Sequence, residues 1–150
     1  GLDRGNRFGF TAGGEHEGVG ITAVYAEKLT RESIYQALKD RHVYGTTGAR
    51  IMLDFQIGGY PMGSEVRTHD ESVACDVHVK GCDELVYIKL VQPDCETSLY
   101  ESVGNGQNEI RLKTELELKK DSEWFYIRVK QTDEHMAWSS PIWVDRMAIE

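Results

Sequence analysis

Between His42 and Ile51, in the run HVYGTTGARI, the sequence changes its rules. Upstream lie one glycine-rich apolar stretch and one amphipathic segment, too little to enclose a core. Downstream, apolar and polar side chains alternate with a period of two, interrupted by turn signals every eight to twelve residues. Successive side chains of an extended strand point to opposite faces, so such alternation builds sheets with one dry and one wet face. The division implies a self-sufficient β domain over residues 46–150, with residues 1–45 as the tail end of something larger.

The alternation defines seven strands. Ile51, Leu53, Phe55 and Ile57 form an inward set closed by Gly58-Gly59, and Ser72–Lys80 alternates again. Gly81–Asp83 then reads as a hairpin turn into Glu84–Gln92, which is apolar on both faces and so central in a sheet. Thr97–Val103 follows, and Asn105-Gly106 is a local hairpin signal. Glu109–Leu118 places Ile110, Leu112, Leu116 and Leu118 inward, and Glu123–Gln131 and Ser140–Arg146 complete the set. Seven short strands at this spacing predict an Ig-like or fibronectin-like antiparallel β-sandwich, with a partly open barrel as the alternative.

Before the joint, Phe8–Ala12 reads as a short buried strand opening into the loop Gly13–Gly20, and Ile21–Ala26 as a second apolar run. Thr30 is a good N-cap, Glu32 favours a helix start, and Leu29 and Ile34 stand at staple spacing, which predicts a helix from Arg31 to Asp40. Ile34, Ala37 and Leu38 share one face with Tyr35 beside them. A helix this short is marginal in water, so something must cover that face.

Charge is unevenly divided. Residues 1–45 hold six Lys/Arg and six Asp/Glu, leaving eleven against nineteen in the remainder, so the whole deficit of −8 lies there. That argues against a nucleic-acid partner. No apolar run approaches the ~18 residues of a membrane span and no secretory signal is present, although a fragment beginning at Gly1 could have lost an address. Cys75, Cys82 and Cys95 lack metal-ligand spacing and are expected as free thiols. If the strands flanking Gly81–Asp83 pair, Cys75 lies opposite Lys89 and far from Cys95.

The loop Gly13–Gly20 alone is dense in both glycine and ionisable groups, but it lacks the Lys-Ser/Thr ending of a phosphate loop and the dinucleotide fingerprint. Glu15, His16 and Glu17 suit a divalent metal such as zinc, manganese or iron, since imidazole and carboxylate are its usual ligands. Three adjacent polar residues in a glycine loop more often simply face solvent. Near the other end of the chain, inward Phe125, Ile127 and Val129 leave Trp124, Tyr126 and Arg128 outward, and inward Ile142 and Val144 leave Trp143 outward. Pairing Ile127 with Val144 would set Arg128 opposite Trp143 as a cation–π contact. The aromatic set then reads as an interface with the N-terminal part, as a surface shielded by Arg and Lys stems, or as a sugar-stacking face.

Taken in order, GFTAGG with its acidic/His loop, ITAVYAEKLTRESIYQALKDRHVYGTTGARI, and a β domain closing with MAWSSPIWV resemble the C-terminal part of a PHP (polymerase and histidinol phosphatase) superfamily protein. The resemblance is most specific in Ala26-Glu27, Thr30-Arg31-Glu32, Tyr44–Arg50 and Ala137–Val144. It implies a parent protein with a distorted α/β barrel of metal-dependent phosphoesterase type, whose last strand and helix are residues 1–45. The sandwich would be an appended, non-catalytic accessory domain, and the missing N-terminal barrel its partner. The closing motif of that superfamily resembles Asp-x-His, whereas this chain has Glu15-His16 with nothing between. His16 is therefore the better carried-over ligand and Glu15 the weaker, and the fragment alone is expected to be inactive. The reading from a different class is a stand-alone Ig-like binding module, carbohydrate-binding through Trp124, Tyr126 and Trp143.

Overall fold

The computed structural model describes residues 1–14 and 19–148. After a 3-10 turn at Leu2–Arg4, its elements are β1 (Ile21–Val24), α1 (Arg31–Lys39), β2 (Val43–Thr46), β3 (Met52–Ile57), β4 (Tyr60–Pro61), β5 (Glu65–Thr68), β6 (Ser72–Lys80), β7 (Leu85–Gln92), β8 (Cys95–Glu101), β9 (Glu109–Glu117), β10 (Ser122–Gln131), β11 (Met136–Ser139) and β12 (Ile142–Arg146). The fold is a mainly β sandwich. One sheet runs β1-β2-β11-β10-β12-β5, with β7 bridging β10 to β8, and the other runs β4-β3-β6-β9. All pairs are antiparallel except β5 with β12.

The core is what the alternation requires. Leu53, Phe55 and Ile57 of β3 and Cys75, Val77 and Val79 of β6 meet Ile88, Leu90, Phe125, Ile127, Val129, Ile142 and Val144 of the larger sheet. Phe55 and Phe125 are fully buried. Cys75 lies in this core while Cys82 and Cys95 are exposed, and all three are free. Burial pushes the Cys75 thiol up to about 12, with the Asp76 charge adding to it, so it acts as a small hydrophobe rather than a nucleophile.

Four expectations are corrected. Gly81–Asp83 is not a hairpin turn: β6 pairs with β3 and β9, and Cys75 lies opposite Ile57 and Thr114 rather than Lys89. The turn carries the chain from one sheet to the other, held by the buried Gln131, whose Oε1 accepts from the Cys82 amide at 2.8 Å. A Cβ on Gly81 would stand 2.5 Å from that oxygen and 2.7 Å from the Asp83 carbonyl, so a side chain there would force the turn to shift. Asn105-Gly106 likewise lies in a crossing between sheets, because β8 pairs with β7 and β9 with β6.

Ile127 does not pair with Val144. β10 is met first by β11, with Arg128 opposite Trp138, and then by β12, with Phe125 opposite Ile142. Two residues on β10, Tyr126 and Ile127, thus face three on the return strand, a bulge at Ser139-Ser140-Pro141. The Ser139 hydroxyl accepts from the Ile127 amide at 2.9 Å, filling the gap in the ladder. The odd residue changes the phase, so Trp138 and Trp143 both point outward although five residues apart.

Phe8–Ala12 is not a strand of either sheet. It runs as an irregular strap over the outer face of the larger sheet, joined to it by side chains.

Candidate functional site

The strap is fixed at four points. The Arg7 guanidinium donates to Glu65 of β5 and, at 2.9 Å, to Asp145 of β12. The backbone of Gly9 lies against Ser140 and Val43, where a Cβ would stand 3.1 to 3.2 Å from their side chains. The Phe10 amide donates to the Ser140 hydroxyl at 2.9 Å, and its ring meets Tyr126 edge-on at 5.0 Å. Ala12 and the Thr22 hydroxyl exchange two hydrogen bonds.

Beneath the strap lies the outward aromatic set. Trp124 stands directly opposite Trp143, and the Trp124 and Tyr126 rings are nearly parallel with centroids 5.9 Å apart. The predicted faces are right, but Trp143 is covered: only 3% of it is exposed, and the cation over it is Arg41, at 5.2 Å, not Arg128. Arg41 also donates to the Gly63 carbonyl at 3.0 Å and to Glu65 at 2.8 Å. Arg128 lies instead over Tyr87 and pairs with Glu96 at 2.7 Å. Among the described residues the Trp143 indole nitrogen and the Arg128 Nε are buried without hydrogen-bond partners. Beside Trp124, Lys120 and Asp94 form an ion pair at 2.9 Å along a cleft of about 370 Å³ that Arg7 and Trp143 also line.

Arg7, Arg41, Glu65 and Asp145 form one alternating-charge network, which sequence reading missed. Burial pushes the Asp145 carboxyl up, but the hydrogen bonds from Ser122 and Arg7, with the Arg7 and Arg67 charges, outweigh it and hold the group below the usual aspartate range. Arg7 and Asp145 are separated by 138 residues. The only local signal was an arginine beside Phe8 in an otherwise apolar run.

The predicted metal ligands Glu15 and His16 lie outside the described residues, but both ends of their loop are visible. A Cβ on Gly20 would stand 2.9 Å from the Gly13 amide, so the loop closes on itself. Its exit is braced by Thr46-Thr47-Gly48. Gly48 adopts φ 118° with the Val19 carbonyl where a Cβ would be. The Thr46 hydroxyl accepts from the Gly48 amide, and Thr47 bonds the Met136 amide and the His135 ring, each at 2.9 Å. The Tyr44 hydroxyl reaches the Ile51 carbonyl at 2.9 Å, and burial raises its pKa. The YGTTGARI run is therefore a hydrogen-bonded pedestal for the loop root, in which the Tyr44, Thr46 and Thr47 hydroxyls each satisfy a backbone group. Among the described residues, no group of three or more His, Cys, Asp or Glu side chains is arranged to hold a metal ion. No helix of the described residues is long and apolar enough to cross a membrane.

The pedestal, the loop ends, the strap from Arg7 and the Gly63 contact fall within residues 7–82, and these match the family described as "Protein of unknown function (DUF3604)". The chain belongs to that family. The match extends over the helix, the pedestal and the strands as far as Cys82, so DUF3604 spans the joint between the two parts of the sequence. An uncharacterized protein of Chlamydia pneumoniae is 36% identical over 97% of this chain, and one of Chlamydia trachomatis 31% identical over 96%. In both, this chain spans 28% of the relative's length. No solved structure matches.

Proposed function

We propose that this chain is the C-terminal part of a PHP-type, metal-dependent phosphoesterase-like hydrolase, with the sandwich as its non-catalytic accessory domain. The observation that supports the reading is that Gly13 and Gly20 approach each other and Val19 meets the Gly48 turn, while the sequence between them carries one histidine and two glutamates. The donor chemistry fits a divalent metal such as zinc, manganese or iron, with His16 the principal ligand and Glu15 the lesser. Such a metal, when bound, supplies Lewis-acid stabilisation of charge on a phosphate ester and lowers the pKa of a coordinated water. In this reading the contribution of His16 and Glu15 is to supply donor atoms to that ion.

Two or three donors do not close a coordination shell, so the remaining ligands must come from elsewhere in the protein. Relatives more than three times as long as the matched region leave ample chain for them. The fragment by itself should turn over no p-nitrophenyl phosphate with manganese or zinc, whereas a full-length family protein carrying this segment should, and His16→Ala should lower that rate at least about a hundredfold. Metal-dependent turnover by the 150-residue chain, or a full-length enzyme indifferent to His16→Ala, would remove the reading. A carbohydrate-binding reading loses support because Trp143, although it lines the cleft with Trp124, is only 3% exposed.

A further inference from the structure

α1 is built the wrong way round for a helix that serves only this sandwich. Thr30 caps it as expected, its hydroxyl accepting from the Ser33 amide at 3.2 Å, and the element it packs against is β1. The single residue it buries is Ala37. At 100° per residue, Ile34, Leu38 and Tyr35 lie about 60°, 100° and 160° round the axis from Ala37. The helix therefore rests on its small side chain and turns its large ones outward: Leu38 is 43% exposed and Tyr35 66%. Leu29, just before the cap, is 94% exposed, and Tyr25 is exposed between them and the sheet. The opposite arrangement, with Leu38 and Tyr35 on β1 and Ala37 outside, was open to any sequence selected for this domain alone. An outward apolar stripe of this kind raises the solvation free energy of a helix too short to be stable without cover.

We infer that the stripe Leu29, Ile34, Tyr35 and Leu38 is an intramolecular docking surface, covered by a second folded unit of the same polypeptide that presents an apolar face to it. The occupant follows from length. Relatives align over 97% of this chain, helix included, yet the chain accounts for 28% of their length, so most of each relative is available to form such a unit. The family match of residues 7–82 likewise contains the whole helix. The inference deepens the accessory-domain reading and rests on it only for the existence of that second unit, not for its metal. Glu32 and Lys39, about 220° and 200° round the axis on the exposed flank beyond Tyr35, would form the polar rim of the contact, with Arg31 at its N-terminal end.

The test compares one segment in two contexts. Amide exchange of residues 30–39 is measured in the 150-residue chain and in a full-length family protein carrying it, and should be at least about tenfold slower in the latter. Tyr35→Glu with Leu38→Glu should leave the melting temperature of the 150-residue chain unchanged while destabilising the full-length protein and allowing limited proteolysis to release the sandwich. Equal exchange in both contexts would overturn the inference without need of any variant. A 150-residue chain that sediments as a dimer, with the double variant monomeric, would also overturn it by assigning the stripe to a second copy. Protection of the helix in a full-length protein lacking metal-dependent turnover would keep this interface while discarding the hydrolase reading.

Discussion

The space between the sheets and the surface under the strap are both places where this chain buries aromatic side chains, and they are held by different forces. Between the sheets, Phe55 and Phe125 pack among aliphatic side chains with no polar partner at all. Under the strap, Trp143 is buried to a similar degree, but its cover is Arg41, Arg7, Glu65 and Asp145 together with a few backbone hydrogen bonds. Apolar burial is non-directional and accumulates with area, whereas an ion-pair clasp depends on charge state and on a few atoms. The sandwich should therefore unfold as a unit, and the strap should detach from a sandwich that remains folded.

The sharpest probe of this contrast is Phe125→Ala, which opens a cavity and should cost about 3–5 kcal/mol in urea-induced unfolding. Leu38→Ala in the same chain should cost less than about 0.5 kcal/mol, because that side chain is already in water. Equal costs would erase the distinction. Next in size, Gly63→Ala should destabilise by more than about 1 kcal/mol: its φ is 92° and its Cβ would overlap the Arg41 carbonyl, under the clasp. Gly59→Ala, at φ 81° with open space around it, carries the backbone strain without the overlap and should cost less in the same titration.

The smallest effect concerns acid. Asp145 has its folded pKa below its unfolded one, so its contribution is complete above the ordinary aspartate value of about 3.9 and is lost as pH falls through the depressed value. Proteolysis of residues 1–12 should therefore be unchanged between pH 7 and pH 5 and rise only below about pH 4. Asp145→Asn should raise cleavage of the strap at neutral pH and flatten that acid response, while shifting global unfolding by less than about 1 kcal/mol. A fall in global stability as large as that of Phe125→Ala would mean the strap is part of the core after all.

What could be read in advance follows the range over which each signal acts. Thr30 as N-cap, the strands around Phe55, Val77 and Ile127, and the outward phase of Trp124, Tyr126 and Trp143 are set by neighbours within a few residues, and they were legible. The pairing of strands was not, because a turn such as Gly81–Asp83 looks the same whether the chain folds back in one sheet or passes to the other; the deciding contact is Gln131, 49 residues away from Cys82. The bulge at Ser139-Ser140-Pro141 hid in an ordinary polar dipeptide before proline. Phe8-Gly9-Phe10 has strand-like alternation without a ladder, since its partners are side chains such as Ser140. Of the outer site, the rings were visible and their cover was not.

The order of the larger sheet, with β10, β11 and β12 between β2 and β5, carries a consequence in time. On the ribosome the chain emerges from its N-terminal end, so β2, β5 and β7 are made long before β11, β12 and β10, which complete their pairing. Trp143 must arrive before Glu65 has a partner across the sheet, and Asp145 before Arg7 has its second anchor. During that interval the nascent chain carries several open strand edges and an unanchored strap, and closing them needs contacts across most of the sequence, the slow kind. A translational pause before residue 142 would lengthen that interval.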